Sequence, residues 1–314
     1  MTQPVRSAWR RRATAVAALV LLVTALISAG PAAHATTYGT YGTATATPDV
    51  NGTKNNEGFA AGARYLYSVK VGKKNKTAVI YRWDTKKKKR VLMTNRANGT
   101  TVIEGLGHAN GMALVPIKGK QYLFVVTMTT KGKQVIKLLL NGASYQRVGA
   151  FKLRTGSGAY VQATGISLVA VTASEVRFFF AQGDAILRGA VALDKNKGKI
   201  EVTSRFTAFH ESPQGVNTPQ SIFYDPTHGN LYVPSTKHKG NVSAVFVYKN
   251  VTWETEVHPP VAADPTFLVA SQKFTLFEIE GLGISGGRLY FSTNRSNDRS
   301  KNRDGIHWFK TYTP

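Results

Sequence analysis

Short hydrophobic segments alternate with polar turns along most of this chain, and one type of segment recurs regularly. Each copy carries large hydrophobic side chains at its centre: Tyr65–Ser68, Tyr122–Val125, Arg177–Phe180, Asn230–Val233 and Arg288–Phe291. Successive copies are 57, 55, 53 and 58 residues apart, measured between Tyr67, Phe124, Phe179, Tyr232 and Tyr290. A period of this length indicates an array of equal supersecondary units.

A second signature, a polar residue followed by a small and then a hydrophobic one, precedes each of these segments. Its copies are Glu57–Phe59, Asn110–Met112, Thr164–Ile166, Gln220–Ile222 and Glu280–Leu282. An apolar strand follows each central segment: Ala78–Trp83, Gln134–Leu139, Ala185–Val191, Ala244–Tyr248 and Ile306–Phe309. Most repeats add a fourth strand, and four antiparallel strands are the unit of a propeller blade. The pattern therefore predicts an all-β fold, a five-bladed β-propeller in which the signatures form the inner strands, where convergence favours Gly or Ser.

The last repeat has no fourth strand after Ile306–Phe309. We expect the segment around Thr43–Thr47 to pair there, so that an N-terminal strand closes the last blade and protects its edge. Residues 36–314 are thus predicted to form one domain.

Residues 1–35 have the three parts of a cleavable signal peptide. Arg6 and Arg10–Arg12 form a positive start, Ala13–Ile27 is almost wholly apolar, and Ala33–Ala35 has small residues on both sides of a spacer. This is the pattern of an export signal, and the apolar run is shorter than the roughly 20 residues of a membrane span. We expect a secreted, extracellular protein with no membrane span after residue 35; the export route is left open.

The net charge and the absence of cysteine indicate what kind of core the protein has and what kind of partner it binds. The whole chain has a net charge of +24 and no cysteine, and removal of residues 1–35 leaves +20. An exported protein without disulfides needs a large core, and a field of this sign attracts polyanions. The basic residues proposed to bind them are Lys73, Lys74, Lys76, Lys86, Lys87, Lys88, Lys89, Arg90, Arg295 and Arg299. Lysines act as point charges, so an anionic wall polymer is the expected partner, and sequence-specific nucleic-acid recognition is not expected because no helix is available.

The inner-strand signature places candidate chemistry around the central channel. The predicted ring of ligand-binding residues is Glu57, Asn110, Thr164, Gln220 and Glu280, with His108 and Glu278 two residues earlier on the same face. Glu57, Asn110 and Glu280 form a possible calcium site, because Ca²⁺ takes oxygen ligands. Two carboxyl groups are also an acid and base pair, and a water-filled channel lined by polar residues is the third interpretation.

Other catalytic chemistries find no support. The remaining histidines are scattered among turns, there is no cysteine nucleophile, and no Gly-x-Ser-x-Gly elbow occurs. Exposed aromatic rings would mark a sugar site, and among the candidates Trp83, Trp253 and Trp308, Trp253 is expected to be the most exposed.

Two segments carry a family resemblance. Gln220–Asp225 with the following Gly229–Ser235 resembles the corresponding stretch of helveticin J-like proteins, as does Phe277–Leu282 with Leu289–Phe291. The similarity spans residues 217–310 and, more faintly, 104–130. It implies a secreted, bacteriocin-type or cell-surface-binding propeller, without catalytic residues to carry over. Propeller lectins of secreted bacterial toxin particles are similar in architecture.

The leading hypothesis is therefore a secreted, lectin-like propeller that binds a cell-surface glycan or anionic wall polymer, as an antimicrobial bacteriocin or as the targeting subunit of a secreted toxin. The alternative is a metal-dependent enzyme of the lactonase or glycosidase type. Gluconolactonase-like propellers hold a central metal with Glu, Asn and Asp; Glu57 and Asn110 resemble two of these ligands, but no Asp stands in the ring. A docking partner for another secreted protein is the third possibility.

Overall fold

The computed structural model describes residues 38–208, 215, 218–237, 240–257, 259, 266–271, 273–297 and 301–314, with backbone only at 301–302. The chain divides into two units, Met1–Ala35 and Thr36–Pro314. The predicted signal peptide lies outside the described residues. In the part that is described, no helix has the length and apolar character needed to cross a membrane.

The described chain is built from strands, as predicted, with one 3₁₀ turn at Lys73–Asn75. The strands of its first half are β1 (Tyr41–Ala46), β2 (Thr53–Ala61), β3 (Tyr65–Gly72), β4 (Thr77–Asp84), β5 (Lys89–Leu92), β6 (Thr94–Asn95), β7 (Val102–Glu104), β8 (Gly111–Ile117), β9 (Lys120–Val126), β10 (Val135–Asn141) and β11 (Ser144–Thr155). Those of the second half are β12 (Gly165–Val171), β13 (Glu175–Gln182), β14 (Ala185–Ala192), β15 (Lys197–Thr207), β16 (Thr218–Pro219), β17 (Phe223–Asp225), β18 (Asn230–Thr236), β19 (Val242–Tyr248), β20 (Phe267–Ala270), β21 (Leu276–Ser285), β22 (Arg288–Asn297), β23 (Lys301–Asn302) and β24 (Gly305–Phe309).

Strands that follow one another pair antiparallel and form five meanders of four strands. The first meander consists of β2 to β5, the second of β8 to β11 and the third of β12 to β15. In the fourth, the short strands β16 and β17 both pair with β18, which is followed by β19 and β20. The fifth consists of β21, β22, β24 and β1. Each contains one copy of the hydrophobic segment identified in the sequence, in β3, β9, β13, β18 and β22. The five hydrophobic segments identified in the sequence thus lie in five successive groups of paired strands.

The N-terminal strand completes the fifth meander. β1 pairs antiparallel with β24, with Tyr41 opposite Phe309 and Ala46 opposite Gly305. The side chain of His307 fixes this pairing, because its Nδ1 lies 3.0 Å from Oγ1 of Thr43 and its Nε2 lies 3.0 Å from Oγ1 of Thr293. The predicted closing strand is confirmed, and we refer to β1 as the latch.

The first strands of the meanders contact one another in a closed circuit, from β2 to β8, β12, β17, β21 and back to β2. They approach so closely that a Cβ would collide with the neighbouring strand at the glycines of the signature. A Cβ on Gly111 would lie 2.9 Å from Cα of Gly165, and one on Gly281 would lie 2.9 Å from Cβ of Phe59. Convergence of the inner strands is thus the reason for the recurring glycine, as expected.

The core lies between successive meanders. The described residues form five hydrophobic clusters, one at each boundary between neighbouring meanders, and the last cluster joins the fifth meander to the first. Between the second and third meanders, the rings of Phe124 and Phe178 are 4.9 Å apart. Both are fully buried, and burial of one such side chain stabilises the fold by about 1.5–3 kcal/mol.

One pairing was not predicted by the repeat. β11 and β15, the outer strands of the second and third meanders, pair in parallel from Ala150 opposite Lys197 to Thr155 opposite Val202. This joins the two meanders into one sheet. Their unusual length allows it, because β11 has 12 residues and β15 has 11.

Candidate functional site

Glu57 and Glu280 lie on irregular segments of neighbouring strands. The pairing of β2 with β3 shifts between Asn56 and Phe59, and the pairing of β21 with β22 shifts between Ile279 and Gly281. A bulge breaks the alternation of side chains and turns one towards a site that a regular strand would not reach. Glu57 is 3% exposed and Glu280 is 2% exposed, so both carboxyl groups are enclosed among the first strands.

Asn110 connects the first strands from inside. Its Nδ2 donates to the carbonyl oxygen of Thr164 at 2.9 Å and to that of Gln220 at 2.5 Å. The structure thus brings three of the predicted ring positions together, although Thr164 and Gln220 contribute backbone rather than side-chain atoms. The side chain of Asn110 is buried, and its Oδ1 has no hydrogen-bond partner in the part of the chain that the structure describes.

His108 and Glu57 are in direct contact. Nε2 of His108 lies 3.2 Å from Oε2 of Glu57. Burial lowers the pKa of His108, so the imidazole is neutral at pH 7 and the contact is not an ion pair. Among the described residues, the buried Nδ1 of His108 has no hydrogen-bond partner.

The carboxyl groups raise one another's pKa. Burial raises the pKa of Glu280 well above its ordinary value, and the charges of Glu57, Glu278 and Asp304 raise it further. Burial and the neighbouring Glu278 and Asp304 act on the pKa of Glu57 in the same direction. Glu278 accepts a hydrogen bond from Nδ2 of Asn294 at 3.1 Å, which partly offsets the effect of burial on its pKa. Glu57, Glu278 and Glu280 together therefore favour a bound proton or a bound cation over three negative charges side by side.

We refer to Glu57, His108, Asn110, Glu278 and Glu280 as the central cluster. Access to it is from the side on which the first strands begin, because the side chain of His108 is 34% exposed while that of Glu57 is 4% exposed. Further along the same strands the lining becomes apolar, around a small cavity of about 130 Å³ that Met112 and Leu282 help to enclose. The strands that carry the cluster are thus polar at its level and apolar further along.

A buried ion pair beside the cluster was not predicted. Nζ of Lys70 lies 2.9 Å from Oδ2 of Asp304 and 2.6 Å from Oδ1 of Asp49, and it donates to the carbonyl oxygen of Thr47 at 2.9 Å. The side chains of Lys70 and Asp304 are fully buried. Lys70 stands opposite Asn56 in the sheet, so the ion pair connects the latch end to the strand that carries Glu57. A lysine inside the apolar strand around Val69 was the available sequence signal.

The predicted calcium ligands are only partly arranged as a site. The described residues contain no group of three or more His, Asp or Glu side chains placed to hold a metal ion. Two of the proposed ligands nevertheless have a buried oxygen without a hydrogen-bond partner, Oδ1 of Asn110 and Oε2 of Glu280. Oxygens of this kind are suited to a hard cation, so calcium binding stays a prediction.

The predicted polyanion-binding residues do not share one surface. Lys73, Lys74 and Lys76 are exposed at one end of β4, whereas Lys86–Arg90 lie at its other end. Eight residues of extended chain separate the two groups by about 26 Å. Arg295 is only partly exposed, and its Nε donates to the carbonyl oxygen of Arg303, so its role in polyanion binding stays a prediction. Arg299 lies outside the described residues.

The described tryptophans differ in exposure. Trp83 is buried, whereas Trp253 and Trp308 are partly exposed. The ring of Trp253 lies 5.9 Å from that of Phe179 in a stacked arrangement, and the guanidinium groups of Arg177 and Arg188 lie over it. Sugar binding at Trp253 stays a prediction.

No protein-family model matches the chain, and no curated protein sequence matches it significantly. Among solved structures, it is similar to a GH32 β-fructofuranosidase mutant of Bombyx mori in complex with sucrose (TM-score 0.49, 10% identity, 95% of this chain and 66% of that one). It is also similar to regucalcin, a calcium-binding protein of Agrobacterium tumefaciens (TM-score 0.41, 7% identity, 89% and 98%). It is similar as well to the allergen Mala s 1 of Malassezia sympodialis (TM-score 0.38, 12% identity, 59% of this chain and 51% of that one). The chain thus spans about half the length of that protein. At these values the likenesses identify neither a family nor a function.

Proposed function

We propose that the chain is a secreted five-bladed β-propeller whose central cluster binds a carbohydrate. Five meanders, first strands in a closed circuit and a hydrophobic cluster at every boundary support a propeller. The export signal in the sequence supports secretion.

The observation that carries the binding proposal is the pair of buried acceptors without donors. Among the described residues, Oδ1 of Asn110 and Oε2 of Glu280 have no hydrogen-bond partner, and leaving a buried polar group unsatisfied costs about 1–3 kcal/mol. Sugar hydroxyl groups carry donors at short intervals and can satisfy such oxygens. The apolar lining near Met112 suits the C–H face of a sugar ring. A neutral carbohydrate thus satisfies both kinds of surface.

A glycan array followed by titration calorimetry of the retained sugars tests this proposal. We expect retention of at least one glycan class, and a loss of roughly tenfold or more in affinity for E280Q, since the amide nitrogen replaces one oxygen acceptor and a buried hydrogen-bonding group left unsatisfied costs about 1–3 kcal/mol. The matched control is E201Q, because Glu201 is exposed and pairs only with Lys199 at 3.0 Å among the described residues. The absence of any retained glycan, or equal effects of both variants, contradicts the proposal.

A hydrolase of the lactonase or glycosidase type is the second candidate. It is favoured by the raised pKa of Glu57 and Glu280, because a general acid must hold its proton near neutral pH. This candidate predicts turnover of a lactone or a glycoside that E57Q and E280Q both abolish. Binding without turnover leaves the carbohydrate-binding function.

The positive charge and the helveticin J-like segments support a target on the bacterial surface. We expect purified protein to sediment with cell walls at low salt and to be released at high salt, because contacts between exposed charges are screened. A growth-inhibition assay on the same cells distinguishes an antimicrobial factor from a binding protein without toxicity. A protein that stays in the supernatant at low salt contradicts a role at the wall.

A further inference from the structure

The parallel pairing of β11 with β15 forms a broad surface groove of about 1280 Å³, separate from the central cluster. Seven of its lining residues are lysine or arginine, against a single acidic one, Asp194. None of these basic residues belongs to the basic runs identified from the sequence, since they are distributed over residues 133–199. The groove exists only because two distant strands meet.

The register of the two strands concentrates like charges. Lys152 and Lys199 stand opposite each other, and both are exposed. Lys197 precedes Lys199 by two residues on the same exposed face, at a distance of about 6.6 Å. Like charges directly opposite each other destabilise a sheet. Within the described residues, Lys199 is paired with Glu201, whereas Lys152 and Lys197 have no carboxylate partner.

Buried contacts hold the wall of the groove in place. The side chain of Lys137 is 3% exposed, and its Nζ donates to the carbonyl oxygen of Lys195 at 3.1 Å and to Oδ1 of Asn196 at 2.9 Å. The carbonyl oxygen of Asn196 accepts from the backbone N–H of Ala150 at 2.8 Å. A Cβ on Gly149 would come within 2.3 Å of that same oxygen. The lysines of the turn and of β15 are therefore presented from a fixed backbone.

We propose that this groove binds a linear polymer of polyol units joined by phosphodiesters. Rows of lysines suit a repeating point charge. Single-stranded nucleic acid also carries such charges, but proteins that bind it add aromatic rings on which the bases stack. Phe151, the aromatic residue in the lining, is 1% exposed and offers no face for stacking. The groove thus fits a phosphate polymer without bases.

The test is the affinity of the full mature chain for poly(glycerol phosphate) of defined length, measured by calorimetry at several salt concentrations. For K152Q/K197Q we expect roughly tenfold weaker binding and a reduction of about 1.4 in the slope of log affinity against log salt, because each phosphate contact on a flexible strand contributes about 0.7. The matched control K249Q/K310Q removes the same charge from exposed positions outside the groove and should change affinity less than twofold.

Three results overturn the proposal: no binding to the polymer, an equal loss for the two double variants, or tighter binding of oligothymidylate with the same number of phosphates. Circular dichroism and the unfolding midpoint of each variant show that the fold is kept, and the substituted lysines are exposed. Inorganic phosphate, tested alone, should bind far more weakly than the polymer. A failure here leaves the central cluster and its carbohydrate test untouched, because the two sites share no residue.

Discussion

Nζ of Lys70 lies 2.9 Å from Oδ2 of Asp304, and both side chains are fully buried. Because Asp304 is near the C-terminus and also accepts from the backbone N–H of Arg295 at 2.8 Å, this ion pair ties the first meander to the fifth. Burial raises the pKa of Asp304, and the charge of Lys70 opposes that rise. The ion pair therefore has a structural role beside the central cluster.

Removing one member of this pair should be strongly destabilising. K70M leaves the carboxyl group of Asp304 buried without its cation, and we expect a loss of about 3–5 kcal/mol in the free energy of unfolding. The double variant K70M/D304N should recover part of that loss, because no fully buried charge then lacks its counter-ion, and Asp49 is partly exposed. Urea unfolding of the three proteins measures this, and a double variant that is less stable than K70M contradicts it.

The carboxyl pair predicts an unusual pH dependence of stability. Glu280 has a raised pKa in the folded protein, so its contribution to stability is present below the ordinary value of 4.5 and is lost as the pH rises through the folded value. In E280Q the side chain at this position cannot ionise, so this loss of stability with rising pH does not occur. We expect E280Q to be more stable than the wild type at pH 8, by about 1 kcal/mol or more, and to be close to it at pH 4.5. Urea unfolding at both pH values measures this, with E201Q as the control. The same difference in unfolding free energy between E280Q and the wild type at both pH values contradicts the prediction.

The latch should respond to acid in the opposite direction. Burial lowers the pKa of His307 well below 6.5, so its stabilising contribution is present above that value and is lost as the pH falls through the folded value. Hydrogen exchange of the β1 amides should therefore accelerate below pH 6.5 relative to those of β9. In H307N the pH dependence specific to β1 should disappear; if it stays as in the wild type, His307 is not its source.

Asn110 should matter for stability as well as for ligand binding. N110A leaves the carbonyl oxygens of Thr164 and Gln220 without their donor, and we expect a loss of about 1–3 kcal/mol. Q146A is the control, since Gln146 is exposed on β11, and it should stay within about 0.5 kcal/mol of the wild type. Thermal and urea unfolding measure both variants, and equal stabilities contradict the role assigned to Nδ2 of Asn110.

The repeated features of the fold could be predicted from the sequence, whereas the contacts between different repeats could not. The hydrophobic segments, the small residue of each signature and the closing strand follow from periodic patterns, and all are found. The β11–β15 pairing depends on strand length and on contacts of Lys137 with a distant turn, which no period records. The lysine runs of the first meander look adjacent in sequence, but β4 carries them to opposite ends. The contact of Lys70 with Asp304 joins residues 234 positions apart, so only the fold could identify it.

The latch also sets an order of events for the chain. β1 leaves the ribosome before every other described strand, and β24, its only partner in the sheet among the described residues, is the last of them to be made. The first strand must therefore wait, unpaired, until the other described strands have been synthesised. Any product that stops before Gly305 lacks the partner strand, so premature termination or C-terminal clipping should yield a chain that cannot complete its fold and that proteases remove.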